Sequence, residues 1–497
     1  MRVISRLSFL VLFILGIVSC NGNKQNVVSF ADGSDVSTSS VGVMTGTTGE
    51  MYIRANYPQA QVQCYDDIMD AIAALQSNKV KYVMTAYTTA VNAAKYNKDL
   101  FILPKEYTDA GAVIALPKGK ATELQRQINA VLEKYRNDGT LSDIVNRWVN
   151  LNSSEYREVD IPVLESGKKL IVGIAANREP MCFIKDGKIV GLDCELIERI
   201  AFELGFKVEY MDMKFSALIT SLASGKIDAI ISNLTATKER GKMVDFSDSY
   251  FVNPQILMCS QDEIQGGVGV SKKPWYKKIS NSFYNNLILE KRYLLILNGL
   301  KVTFIISILA ALIGTLLGAL ICFMRMSKNM LMRGIAKVYI DLLRGIPQVV
   351  LLMIMFYVVF ASLDISGIIV AAITFAMNFA AYVSEMFRTS ISSISYGQTE
   401  AGLAMGFGKV KTFRYVILPQ AIDRVLPVYK GEFISLVKMT SIVGYIAVQD
   451  LTKASDIIRS RTFDAFFPLI VVAIIYFLLA WLLSLLLGLI KTKRVHL

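Results

Sequence analysis

From Val302 to Met324 the chain runs for 23 residues without a charged side chain. An α-helix needs only about 20 apolar residues to cross a hydrocarbon core of about 30 Å. Backbone in hydrocarbon must satisfy its own hydrogen bonds, so such a stretch commits this part of the chain to helix. Four more apolar segments follow, Gly345–Leu363, Ile365–Ser384, roughly Val428–Gln449 and Ala465–Ile490. Pro347 sits near the start of its segment, where a proline is tolerated. The fourth segment carries Lys430, Glu432 and Lys438. Ionisable groups are costly in a bilayer, and those that occur there face protein or water. Glu432 and Lys438 are therefore candidates for a translocation path, with snorkelling at a helix end as the plainer reading.

Charge sets the orientation of these spans. Arg325, Lys328, Arg333, Lys337 and Arg344 separate the first two, and Arg388, Lys409, Lys411, Arg414 and Arg424 separate the third and fourth. Lys491, Lys493 and Arg494 follow the fifth, whereas the intervening loops are nearly neutral. Basic loops stay in the cytoplasm. Five crossings then place the start of the first span outside and the C-terminus inside. The N-terminus agrees, because Arg2 and Arg6 precede an apolar Leu7–Val18 run too short to span as a mature helix. Ile17-Val18-Ser19-Cys20 resembles a bacterial lipobox, which implies export and lipid modification at Cys20.

Hydrophobic residues make up 53% of the 497-residue chain and charged residues 19%, a balance that fits a mixed soluble and membrane architecture. The net charge of +12 lies largely beside the apolar spans, which argues against a nucleic-acid partner. Between Lys168 and Cys259, strand patterns (Leu170–Ile174, Lys207–Tyr210, Ala229–Ser232) alternate with helical ones (Cys194–Leu204, Ser216–Ala223), which predicts an α/β domain. The one histidine is His496, and the cysteines lack metal-ligand spacing. No Gly-x-x-x-x-Gly-Lys-Ser/Thr loop is present. An enzyme, a metal centre and a bound nucleotide are accordingly not expected on this chain.

Several motifs carry a family resemblance. Glu400-Ala401-Gly402, then Gly406, then Val416-x-Leu418-Pro419 resembles the EAA loop of bacterial ABC-importer permeases, a cytoplasmic helix that docks on a separate ATPase. The small residues Ala401, Gly402, Ala404 and Gly406 suit close approach by a partner, and Met405 and Phe407 suit a pocket on it. Arg344-Gly345-Ile346-Pro347, Asn378-x-x-Ala381-Tyr382-x-x-Glu385-x-x-Arg388 and Glu432-Phe433-Ile434-Ser435-Leu436 resemble the polar amino-acid (glutamine/histidine-type) permeases. Gly431 and Met439 stand where that pattern has Asn and Asp, which removes a partner for Lys438.

The exported half resembles the family-3 solute-binding proteins that serve those permeases, with its lobes in an unusual order. Gly191-Leu192-Asp193, Gly225-Lys226-Ile227-Asp228-Ala229-Ile230, Thr235-x-Thr237-x-x-Arg240 and Val244-Asp245-Phe246-Ser247-Asp248 resemble lobe 1. Val41-Gly42-Val43-x-Thr45-Gly46-Thr47-Thr48-Gly49-Glu50 resembles the opening of lobe 2, and Gly111–Asn150 the segment that returns to lobe 1. The expected divisions are a signal peptide at 1–20, lobe 2 plus return segment at 27–150, a linker at 151–167, lobe 1 at 168–260, a linker at 261–290 and the permease at 291–494, with its docking loop at 396–420. Either one domain is circularly permuted or two tandem domains have each lost a half.

The expected fold is thus a two-lobed, type II periplasmic-binding-protein-like α/β domain followed by an all-α transmembrane permease bundle of five helices. The resemblance implies that Arg240 and Thr235 on lobe 1, and Thr47 and Thr48 on lobe 2, hold an α-carboxylate, with Phe215 as an aromatic wall. A carboxylate wants such a planar donor fork and hydroxyls. The family's acid for the α-ammonium falls on Ala86, and Arg178-Glu179-Pro180-Met181 stands where Tyr-Pro-Pro-Phe is common. Either Glu179 or Tyr87 substitutes, or the ligand is not a simple α-amino acid, or binding is degraded. The function so implied is the inner-membrane subunit of an ATP-driven importer for a polar amino acid or related small carboxylate. Its partners would be an ATPase dimer holding ATP and Mg, and a second copy or a paralogous permease. A ligand-gated channel or sensor built on the same lobes is the alternative.

Overall fold

The computed structural model describes residues 34–108, 111–150, 159–162, 164, 167–185, 187–260, 275–361, 363 and 365–488. Cys20, most of the 151–167 linker, Lys272-Lys273-Pro274 and the basic tail fall outside them.

The first seven elements alternate, β1 (Ser40–Met44), α1 (Thr48–Asn56), β2 (Gln61–Tyr65), α2 (Ile68–Gln76), β3 (Tyr82–Ala86), α3 (Tyr87–Tyr96) and β4 (Leu100–Glu106). Strands β1, β2 and β3 are parallel neighbours, an arrangement that requires helical crossovers. All five residues of β3 are buried, as fits a strand covered on both faces. Thr47 and Asp67 cap the two crossover helices. The Asp67 carboxylate accepts from the Met69 amide at 2.8 Å.

Next come β5 (Gly111–Pro117), α4 (Thr122–Asn137) and α5 (Thr140–Val145). Beyond the linker lie β6 (Lys168–Ile174), β7 (Asn177–Arg178), β8 (Cys182–Lys185), β9 (Lys188–Val190), α6 (Leu192–Glu203), β10 (Phe206–Asp212), α7 (Leu218–Ala223), β11 (Ala229–Thr235), β12 (Val244–Phe246), β13 (Phe251–Val252) and β14 (Gln255–Ser260). The strands form two main sheets that exchange strands. One has the order β2-β1-β3-β14-β4; the other runs β10-β6-β11-β5-β12, with β13 also on β5.

Each exchange has a physical cause. β5 is buried at its five central residues and lies antiparallel to β11, in the interior of the lobe 1 sheet. β14 does the reverse. It comes from the end of the 168–260 block but pairs antiparallel with β3, Gln255 opposite Ala86. Its apolar Ile256–Cys259 run needs cover on both faces, and an interior position in the lobe 2 sheet supplies it. Residues 168–260 are therefore not one lobe, and the two lobes are joined by two chain crossings, near residues 107–111 and 252–255.

The remainder is helical, namely α8 (Trp275–Phe283), α9 (Tyr293–Met326), α10 (Met330–Gly345), α11 (Gln348–Ile354), α12 (Gly367–Ser392), α13 (Tyr396–Ala404), α14 (Lys409–Thr412), α15 (Leu418–Met439), α16 (Leu451–Thr462) and α17 (Phe467–Gly488). Among the described residues α9, α12 and α17 are each long and apolar enough to cross a membrane. Counting two bent pairs brings the total to five. One pair, α10 with Gln348–Val359, turns through 107° at Ile346-Pro347. A proline drives its predecessor out of helix, and Ile346 is extended (φ −92°, ψ 130°). The other pair joins Lys409–Ile446 to α16 at 55°. Helices α9 and α12 approach closely because Gly314 and Gly318 leave room. A Cβ at Gly318 would stand 2.9 Å from Val383.

Candidate solute cleft and docking surface

Where the two sheets face each other they line a partly open cleft. Lobe 2 contributes Met44 from the end of β1, Thr47 and Thr48 at the start of α1, Ile68, and Met84, Thr85 and Ala86 from β3. Lobe 1 contributes Arg178, Phe215, Asn233, Thr235 and Arg240. The five ligand residues expected from sequence, Thr47, Thr48, Phe215, Thr235 and Arg240, thus line one cavity, on elements almost 200 residues apart.

Arg240 is buried, 7% exposed. It donates to the carbonyl of Thr235 at 2.7 Å and, across the cleft, to that of Gly46 at 2.6 Å. Two cations approach the Phe215 ring, with the Arg178 guanidinium carbon 4.0 Å and the Arg240 carbon 5.6 Å from its centre. Burial, joined for Arg240 by the charge of Arg178, lowers both guanidiniums to about 10. Arg178 was seen in the sequence only as a lost aromatic; the structure makes it a second cation of the cleft. Nothing in its local spacing signals this, since its neighbours in the cleft are remote in sequence.

Neither suggested replacement for the missing acid reaches the cleft lining. Glu179 is buried but ion-paired with Arg461 at 3.6 Å, and Tyr87 is 44% exposed. Ala86 itself lines the cavity, and it begins α3 without a side-chain cap.

The lobes sit on the helical half through α16, which the sequence presented only as a near-neutral loop. Lys453 meets Asp212 of lobe 1 at 3.3 Å with both side chains about 95% buried. Arg459 meets Asp70 of lobe 2 at 2.5 Å. Ile457 packs in the lobe 1 core and Phe463 in the lobe 2 core. Phe463 also stacks on Tyr96, rings 5.5 Å apart. Lys226 of lobe 1 donates to the carbonyls of Phe360 and Leu363, the latter at 2.9 Å. Helix α16 therefore touches both halves of the cleft.

Comparison with known proteins finds relatives of two kinds. The family described as "Bacterial extracellular solute-binding proteins, family 3" matches residues 170–405. Its first part covers β6 to β14, and β1 to β5, which complete both sheets, precede it. The chain is similar to the L-cystine transport system permease protein TcyB of Bacillus subtilis, 35% identical over 40% of this chain and 86% of that protein. It is likewise 35% identical to the glutamine transport system permease protein GlnP of Escherichia coli, over 38% of this chain and 88% of that one. The chain belongs to the amino-acid ABC transporter permeases. A solved structure titled "Crystal structure of an amino acid ABC transporter with histidines" is 33% identical, with a TM-score of 0.38, over 44% of this chain and 98% of that one. The protein is thus a multi-pass importer subunit with a solute-binding domain fused to its permease.

On the permease, α13 carries the Glu400 motif and ends in a left-handed turn at Gly406 (φ 84°), a conformation that suits glycine. Glu400, Ala401, Met405 and Phe407 are exposed, Met405 at 68%. Leu403, Val410 and Tyr415 add to this apolar surface. Gly402 departs from the expectation that it faces a partner. It is buried, and a Cβ there would fall 2.5 Å from the Thr412 methyl, so its smallness serves packing of α13 on α14. In α15, Glu432 is half-buried and Lys438 is exposed in the single chain.

Proposed function

We propose that the permease imports an amino acid or related small carboxylate captured by its own lobes, using ATP hydrolysed on a separate chain. The observation that carries this reading is α16, a single helix whose cations enter both lobes. Lobe closure on a solute moves Asp212 and Asp70 relative to each other, and both are held by that helix. Closure is thereby passed directly to α15 and α17. Tethering also removes the diffusional search that a free binding protein makes, at an effective concentration of about mM.

On the same reading, the exposed Met405 and Phe407 enter a groove of the ATPase, with ATP and Mg held there. Glu432 and Lys438 face the path or a second permease copy, which spares them lipid. Charge bias in the loops supports a cytoplasmic C-terminus, and the lipobox-like Cys20 supports a lipid anchor.

Co-expression with a candidate ATPase tests the docking role. The wild-type permease is expected to retain the ATPase through purification, and Gly406→Asp or Met405→Asp to lose it. Unchanged association in both variants would contradict it.

A further inference from the structure

The cleft holds two cations and lacks the expected acid. Arg178 and Arg240 both line the cavity, and among the described residues neither has an ion-pair partner within 4 Å. The acids whose fields reach Arg178 are occupied elsewhere. Asp67 caps α2 and accepts from Asn177 at 2.5 Å, and Asp193 accepts from the Tyr250 hydroxyl and the Asn233 amide. Neither lines the cavity. The guanidiniums both approach one aromatic ring, so their carbons are less than about 10 Å apart by the sum of their ring distances.

A zwitterion is a poor fit to this field. Its carboxylate would gain from both guanidiniums, but its ammonium would join them as a third cation with no acid in the lining, and an unpaired buried ammonium is strongly disfavoured. Two anionic groups on one ligand would instead neutralise both cations, each guanidinium offering a planar fork. Ala86 then stops being a defect, because there is no ammonium for it to miss. Met44, Ile68, Met84 and Phe215 give the cavity apolar wall. That wall suits a carbon skeleton between the two charges better than it suits an inorganic anion.

We propose that the solute is a small organic dicarboxylate whose recognition needs no α-ammonium, held between Arg178 and Arg240. This rests on the cleft being the solute site of the importer.

The test is calorimetry on the full-length permease in lipid nanodiscs, titrated with glutarate, L-glutamate, L-glutamine and sulfate. Glutarate is expected to bind at least as tightly as L-glutamate, and L-glutamine and sulfate about 100-fold more weakly. Arg178→Gln is expected to weaken glutarate about 100-fold, with partial rescue in Arg178→Lys. The midpoint of thermal unfolding without ligand should be no lower in Arg178→Gln than in wild type, because a buried repulsion has gone; that separates lost recognition from lost folding. Binding of L-glutamine ahead of glutarate, abolished by Arg240→Gln, would overturn the dicarboxylate assignment and leave the cleft as an amino-acid site. Sulfate binding more tightly than glutarate would overturn the need for a carbon skeleton. Absence of binding by all four would overturn both the assignment and the cleft reading.

Discussion

The cleft and the Glu400–Phe407 loop contrast in where their functional groups lie. The cleft is bridged by its own chain, with Arg240 donating to carbonyls of both lobes and two guanidiniums near the Phe215 ring. The loop leaves Met405 and Phe407 in the open and buries only Gly402. A recognition site for a small charged solute works by desolvation and fixed charge. A docking site for a protein works by leaving apolar surface uncovered until the partner arrives. The same contrast explains which departures from the family pattern matter. Gly402 in place of Ala is absorbed locally by Thr412, whereas Ala86 in place of Asp, with Arg178 added, changes the charge of the whole cavity.

Five single substitutions sharpen this contrast. The largest effect is expected where the cleft meets the membrane half. Lys453→Met leaves Asp212 buried without its cation and should cost about 3–5 kcal/mol, read as a fall in the thermal unfolding midpoint in nanodiscs. An unchanged midpoint would mean that α16 does not hold lobe 1.

Asp193 should give the cleft side a pH dependence. Burial holds its carboxyl up to about 7, above the usual carboxylate range. Between about pH 4 and 7 the folded lobe keeps a proton that the unfolded chain has lost. The stability this group contributes is therefore greatest in acid, falls as the pH rises to about 7 and levels off above. Asp193→Asn should flatten that slope in pH-dependent unfolding, and an unaltered slope would rule out Asp193 as its source.

At the loop the expected costs are smaller. Gly402→Ala crowds Thr412 and should destabilise by about 1–3 kcal/mol, relieved by Thr412→Ser, which removes the methyl. Met405→Ala and Phe407→Ala should stay within about 0.5 kcal/mol of wild type yet lose the ATPase in co-purification. A large loss of stability in either would mean that the side chain packs within the permease rather than on a partner.

Much of this architecture is legible in the chain because its signals are local. The 23 charge-free residues from Val302 demand a helix, whereas Pro347 reads only as tolerated at the start of a span and the structure makes it the 107° bend between α10 and α11. The Thr47 and Arg240 motifs mark the cleft because each belongs to a turn with its own residue pattern. Two things were not legible. The strand exchange of β5 and β14 depends on which sheet has an interior place for an apolar strand. Helix α16 reads as part of a neutral loop because Lys453, Arg459 and Arg461 are balanced by Asp450, Asp456 and Asp464 in the same stretch, while its partners Asp70, Glu179 and Asp212 lie 240 residues or more away. Arg178 was misread for the same reason, since its role is set by Phe215 and Arg240 in three dimensions.

The central claim is that one chain couples this cleft to an ATPase through α16. ATP hydrolysis by the permease–ATPase complex in nanodiscs, measured with and without glutarate, tests it most directly. Glutarate is expected to stimulate hydrolysis in wild type and to have no effect in Arg240→Gln, with the ATPase still bound in both. Equal hydrolysis with and without solute in the wild-type complex, under conditions where glutarate binding is measured, would contradict it.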